Sequence, residues 1–587
     1  VSSLTTLQRQ DPYPLRVNPA LEPATPSAIE SHYPDPLCLV GDEIVAAHNI
    51  ANMLCSAPRA FASGMHVDGF YAMLWHGDDQ GLSVTRWFHI IDSVHLLILA
   101  VAAMSNAHSS ALGYIPYLHF PKTRPSTQLN GSKIKLLDVL NAKGEPVDAA
   151  SFVVDINRKR IAFLASKATG RRTICLPVKA VKRQDSLKSA TVYSPGPIAM
   201  KMGFWNEHDI PEEENIRLVQ ARFRQFKPEA CKFVVDLICS ATASIAELNS
   251  PRAFLGQISG IELREFRALA MPEYQALEHI RSYEDSEKVL SDAFLGHHWM
   301  WEYGRILHGD VSHNNIMWHV LRDGTVIGVL VDLDMAQPRE RIEAKVRREE
   351  ANVRDMYSGV TKSLAIHGYS GTLPCVATEA LAPNYAPPKD YRPDVESFFW
   401  LFVIHFICHN IHSRSHHTNR LKGLFQLDAL TVGRTKAHFL LENDVEVLHS
   451  VYFREVNSAY RHSIDTLILP LRKLFRYSGE HFRRNDSDDR LQHAFKLPKG
   501  ELLFAMCMNV LGRENDCDCS SCSTICAEAE YGSTSGSDSA GFEEVEETEE
   551  EYYGEEGDGD DTEDSSLYHA YPVKPEEDSS SDKLSFE

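Results

Sequence analysis

The spacing of apolar positions changes several times along the chain. From about residue 38 to 165, apolar stretches alternate with turn signals. An example is Gly77-Asp78-Asp79-Gln80-Gly81 before Leu82-Ser83-Val84-Thr85-Arg86-Trp87-Phe88, and the pattern predicts a mixed α/β section. Thr173 to Val181 and Ile198 to Met202 read as short strands. Asp209-Ile210-Pro211-Glu212-Glu213-Glu214 then supplies a cap, a first-turn proline and acids at the positive helix end. Ile216, Val219, Phe223 and Phe226 follow at helical spacing, so an amphipathic helix is expected to start near Pro211. From about 260 to 510 helical patterns dominate. They are interrupted by a hairpin, Ile316 to Leu321 and Val326 to Val331, turned at Asp323-Gly324. The apolar runs Val94 to Met104 and Phe398 to Cys408 are expected to be buried helices, too short to span a bilayer.

Both ends lack this periodicity. Residues 1 to 36 hold seven Pro and read as a flexible leader; after residue 513 the composition shifts to Ser, Gly, Asp and Glu, an expected disordered acidic tail. The formal charge of −22 is concentrated there: residues 541 to 587 carry 19 Asp/Glu against two Lys, which leaves −5 on the other 540. No basic stripe with aromatic residues argues for a nucleic-acid surface. No signal peptide is visible and no membrane association is expected, so an intracellular protein, cytoplasmic or nuclear, is the expectation. Eight of twelve Cys are scattered among small hydrophobic residues and read as buried thiols. Cys517, Cys519, Cys522 and Cys526 fall close enough to share a metal but lack paired C-x-x-C spacing, and polar-loop thiols are the favoured reading.

The chemistry-bearing segments are three. Transfer of a γ-phosphoryl group needs a positioned hydroxyl, a cation to screen phosphates, and oxygen ligands to hold it. His308-x-Asp310-x-x-x-x-Asn315 spaces an Asp that accepts the hydroxyl proton from an Asn able to reach Mg²⁺. The hairpin's second strand delivers Asp332 at its end, a hard carboxylate for the same ion. Upstream, Ile198-Ala199-Met200-Lys201 matches a strand whose Lys holds the α- and β-phosphates and pairs with a helix Glu. Glu213, three residues before Ile216, is chosen as that partner. Downstream, Gly371-Thr372-Leu373-Pro374-Cys375-Val376-Ala377-Thr378-Glu379 follows a kinase activation-segment end. Asp394-Val395-Glu396-Ser397 opens an apolar helix, with Asp394 expected to brace the catalytic-loop backbone.

With these residues in place the chain resembles the fungal-type protein kinase family. The resemblance rests on Leu307-His308-Gly309-Asp310-Val311-Ser312, Leu330-Val331-Asp332-Leu333-Asp334-Met335-Ala336, Gly371-Thr372, Asp394-Val395-Glu396-Ser397-Phe398-Phe399, Gly170-Arg171-Arg172-Thr173 and the section around Trp75 to Leu118, over roughly residues 60 to 440. It implies an α+β, two-lobed protein-kinase-like fold, with a small β-rich N-lobe and a mainly helical C-lobe. It also implies ATP with Mg, Gly170 on the nucleotide, and Ser/Thr hydroxyls of a protein substrate. The expected domains are 1-37 leader, 38-165 N-terminal extension, 166-254 N-lobe, 255-512 C-lobe and 513-587 tail. The chain departs from the general kinase pattern at Gly309, Ser312 and Asp334, and no G-x-G-x-x-G lies near Gly170. A small-molecule phosphotransferase of aminoglycoside or choline kinase type and a pseudokinase scaffold are the alternatives.

Overall fold

The computed structural model describes residues 41–121, 129–156, 171–181, 196–248, 250–252, 263–345, 347, 371–382, 390–483, 499–517 and 519. All lie in the first of two compact units, Val1–Ala529. The leader, the acidic tail beyond residue 519, Gly170, Cys522 and Cys526 lie outside the described residues.

Helix α1 (Gly41–Cys55) packs Ala47, Ile50 and Leu54 against a small antiparallel sheet. That sheet contains β1 (Ala62–Asp68), β2 (Tyr71–Gly77), β3 (Leu82–Val84) and β4 (Phe88–His89). The expected turn Gly77 to Gly81 joins β2 to β3. Helix α2 (Val94–Asn106) forms where the apolar run predicts a helix, but none of its residues is buried. The run is apolar all round, which normally means enclosure. Among the described residues no element covers it, so the expectation of a buried helix is corrected to an exposed one.

The larger sheet is built from β5 (Leu118–His119), β6 (Lys133–Asn141), β7 (Pro146–Val154), β8 (Ile174–Ala180), β9 (Ile198–Asn206), β10 (Cys239–Ala243) and β11 (Arg264–Pro272). Its order is β10-β11-β9-β8-β7-β6-β5, and a further β10–β6 pairing closes six of the strands on themselves. All pairings are antiparallel. Ile134, Leu136, Phe152, Leu176, Met200, Met202 and Phe266 fill one side. One sheet therefore runs across the expected boundary at 165/166, and β11 continues it past the boundary at 254/255. A turn-rich sequence with separate strand runs does not disclose which runs pair.

Strand alternation on β9 decides what Lys201 faces. Met200, Met202 and Phe204 point into the sheet's own core, so Lys201 between them points to the opposite face. That face carries Leu269, opposite Lys201 in register, into the core shared with the helices. Helix α3 (Glu212–Phe226) covers it with Ile216, Val219 and Phe223, as the helical spacing predicts, whereas Phe226, the fourth residue of that stripe, is exposed at the helix end.

The remaining body centres on α4 (Tyr283–Glu302) and α5 (Tyr391–Cys408), the latter buried almost throughout. Its apolar run has no polar face because neighbours enclose it on every side. The predicted hairpin is present as β14 (Ile316–Val320) and β15 (Val326–Leu330), following the short strands β12 (Gln275–Ala276) and β13 (Ile306–Leu307). Gly328 lets α4 cross β15 closely, since a Cβ there would meet the Val289 carbonyl oxygen at 2.0 Å. Helices α6 (Ala429–Leu441), α7 (Arg476–Arg483) and α8 (Gly500–Val510) complete the packing. No helix of the described residues is long and apolar enough to cross a membrane.

Candidate active site

Lys201 on β9 is buried and donates from Nζ to Glu212 Oε2 at 2.6 Å and to Asp332 Oδ1 at 2.5 Å. Its helix partner is thus Glu212, not the expected Glu213. Glu212 precedes Ile216 by four residues and shares its stripe as well as Glu213 does by three. The closer fit to Lys201 falls to Glu212. Glu213 is buried too, but Thr242 Oγ1 donates to its Oε1 at 3.5 Å, and the nearby cations are Arg267 and Arg217.

Burial disfavours each charge in this cluster, and the outcome differs by group. Burial alone would lower Lys201, yet Asp332 and Glu212 outweigh it and raise it above the ordinary lysine value. Burial dominates at Glu212, which is raised despite Lys201. At Asp332 burial also works upward, but the charge and hydrogen bond of Lys201, with His308 and Arg171, hold the carboxyl below its usual range. Asp332 takes a left-handed backbone, φ 68° and ψ 67°, as the chain leaves β15 for the single turn Leu333–Met335. Asn215, buried on α3, donates from Nδ2 to Leu333 O at 3.0 Å and to Ala336 O at 3.3 Å, tying helix to turn. Arg171 pairs with Asp334 beside it.

The loop from His308 to Asn315 is held from three sides. His308 Nε2 donates to Val331 O at 3.0 Å, and the Val331 N–H donates to Asn315 O at 3.0 Å, joining the loop to the β15 end that carries Asp332. The Gly309 N–H donates to Asp394 Oδ2 at 2.8 Å, so Asp394 does brace this backbone. His297 Nε2 donates to the same oxygen at 3.0 Å. Gly309 has φ 76°, a conformation in which an arginine side chain would be strained.

Asn315 donates from Nδ2 to Asp310 O at 2.8 Å and to Asp310 Oδ2 at 3.3 Å. The other carboxylate oxygen of Asp310 accepts from Thr372 N at 2.9 Å and Thr372 Oγ1 at 3.0 Å. The segment ending at Glu379 therefore reaches back to Asp310, 62 residues earlier. It is anchored by Arg392, which donates to Glu379 Oε1 at 2.5 Å and to Ser478 Oγ at 2.7 Å. Lys201, Glu212 and Asp332 form one cluster; Asp310, Asn315 and Thr372 form the second; β15 and the Val331–Asn315 bond connect them.

The sequence reading named Glu212 only as a first-turn acid and Thr372 only within the activation-segment match, and it gave Asn215 no role. Asn215 carried a signal, since an amide at a stripe position of a helix competes with the backbone and needs a partner.

A cation gripped between a helix carboxylate and a strand-end carboxylate, beside an Asp/Asn loop, belongs with phosphotransferases of the protein-kinase class. Residues 199–408 match the family model described as fungal protein kinase. No curated protein matches the chain.

Proposed function

We propose that this protein is a two-lobed protein kinase that transfers the γ-phosphoryl group of ATP to Ser/Thr hydroxyls of a protein substrate. The sheet β5 to β11 with α3 is the N-lobe, and the helical body from β12 to α8 is the C-lobe. The observation that carries the reading is Lys201 bridging Glu212 and Asp332, one residue from each side of the cleft.

The donor set suits the ions and phosphates. Asp332 offers a carboxylate, and Asn315, whose Nδ2 is turned to Asp310, keeps an amide oxygen for a hard cation. Among the described residues Glu212 Oε1 is buried without a hydrogen-bond partner, a negative atom beside Lys201. Mg²⁺ would be held by Asn315 and Asp332 and, when bound, neutralises phosphate charge. Lys201 would hold the α- and β-phosphates, with Glu212 keeping it in place. Gly170 is assigned to the nucleotide by sequence alone. Asp310 accepts the proton of the incoming hydroxyl, and Asn315 and Thr372 fix its two oxygens for that task.

A protein substrate is favoured over a small alcohol by the segment Gly371 to Glu379. It is bonded to Asp310 through Thr372 and anchored through Glu379 to Arg392, whereas aminoglycoside and choline kinases lack such a segment. The test supplies radiolabelled ATP and Mg²⁺ to wild type and Asp310→Ala, with generic protein substrates and a panel of small alcohols. Label on Ser/Thr that vanishes in the variant supports the reading; label only on alcohols, or no ATP binding at all, overturns it.

A further inference from the structure

The phosphotransfer reading leaves unused a cluster of sulfur and imidazole atoms on the far side of α4. His298 is fully buried on that helix, and its Nε2 lies 3.1 Å from Cys519 Sγ. Cys517 Sγ lies 3.4 Å from Cys519 Sγ. The three ligand atoms all fall within 4.8 Å of one another. We propose that His298, Cys517 and Cys519 form a structural zinc site that fastens the segment after α8 to the helical core.

The ring of His298 is oriented as a metal ligand's ring is. Its Nδ1 lies 2.8 Å from the hydroxyl of buried Tyr391, which directs Nε2 to the sulfurs. Phe504 stacks on the imidazole at 3.7 Å between centroids and 6° between planes, so the ring is fixed on its face as well. These contacts come from α5 and α8 and are independent of the two cysteines.

Ligand chemistry selects the ion. Two thiolates and an imidazole suit Zn²⁺, whereas Mg²⁺ and Ca²⁺ take oxygen ligands. Bond lengths in tetrahedral zinc sites place two sulfurs about 3.8 Å apart and a sulfur and nitrogen about 3.6 Å apart. The measured separations must open by roughly 0.4–0.5 Å, within reach of small cysteine side-chain rotations. The three residues fill three of four tetrahedral positions. Binding releases the thiol protons to solvent, so occupancy strengthens as pH rises.

The approach of the cysteine segment is itself built. Arg513 Nη2 donates to Asp292 Oδ1 at 3.0 Å, and Trp301 Nε1 donates to Glu501 Oε1 at 2.9 Å, so the chain leading into the segment is tied to α4 at two points. His298 also adjoins His297, whose bond to Asp394 supports the Gly309 backbone. The zinc would thus rigidify the turn of α4 that holds the catalytic loop.

The full chain, purified with thiol reductant and no affinity metal, is assayed for zinc by elemental mass spectrometry and reconstituted with Co²⁺ for absorption spectroscopy. We expect one zinc per chain and a thiolate-to-Co²⁺ charge-transfer band. Cys517→Ser/Cys519→Ser should lose both while keeping its far-ultraviolet circular dichroism, and Cys55→Ser should keep both. His298→Gln should weaken zinc retention against a chelator at least tenfold; if that variant does not fold, the double cysteine variant alone decides. Zinc retained by the double variant, no Zn²⁺ or Co²⁺ uptake by wild type, or a Cys517–Cys519 disulfide that persists under reductant would overturn the proposal.

Discussion

Two buried ion clusters in this molecule share a composition and differ in enclosure. In one, Lys201 lies between Glu212 and Asp332; in the other, Arg392 lies beside Glu379 and Glu396. Each joins one cation to two acids, and in each one carboxyl is raised and the other lowered. The second cluster is sealed, and neutral donors hold one of its acids: Thr378 N, Trp400 Nε1 and Ser478 Oγ all donate to Glu396, while among the described residues Glu379 Oε2 is buried without a hydrogen-bond partner. The first is open on one side, because the Asp332 side chain keeps 31% of its exposure. A sealed cluster whose Glu396 is held by backbone and side-chain donors secures a fold. An open one with a net negative charge and a carboxylate facing solvent is ready for a further cation.

The comparison breaks first at the open cluster and its neighbouring base. Asp310→Ala is expected to cut phosphoryl transfer by a factor on the order of 10²–10⁴. Asp332→Asn should match that loss while its denaturation midpoint stays near wild type. The decisive measurement pairs a radiolabel assay with a urea melt; an Asp332→Asn protein that unfolds early yet keeps its specific activity would reverse the two roles. Arg392→Ala should do the opposite, because it strands acids in a sealed site. A stability loss of roughly 3–5 kcal/mol is expected from breaking a buried pair. A loss below about 1 kcal/mol in the same melt would mean that the sealed cluster contributes little.

Within the open cluster the identity of the helix partner can be sharpened. Glu212→Gln removes a charge-assisted bond to Lys201, so turnover should fall roughly 10- to 100-fold. Glu213→Gln should change turnover less than about twofold, given its separate contacts with Thr242. Steady-state kinetics on the two variants, each checked for folding, settles the pair; equal losses would sink the assignment.

The sequence disclosed the parts of this site that depend on short-range spacing. The Asp310 to Asn315 interval, the hairpin that carries Asp332 and the helix from Glu212 all follow from local patterns. The Glu213 choice failed because helical stripes admit both i+3 and i+4 neighbours, and only the position of β9 distinguishes them. Long-range pairing was not legible either. The β10–β6 closure, the Thr372 to Asp310 bond and the approach of Cys519 to His298 join residues distant in sequence, and periodicity carries no information on such contacts. The exposed α2 failed for the converse reason, since an apolar run reports what a helix can bury but not whether a neighbour is there to bury it.

The sealed cluster also has a pH signature of its own. Burial, with Glu396 adding to it and Arg392 opposing, pushes the Glu379 carboxyl up to about 7. The native state therefore holds this proton more tightly than the unfolded chain, whose glutamates titrate near 4.3. The contribution is fully present below about pH 4.3 and is lost as pH rises through about 7. Wild type should lose at most about 3 kcal/mol more stability than Glu379→Gln over that window. Thermal melts of both proteins at pH 5 and pH 8 test this: the wild-type curve should fall relative to the variant on going to pH 8. Parallel curves would show that Arg392 keeps Glu379 ionised throughout. The sealed cluster would then be a fixed ion pair rather than a shared proton.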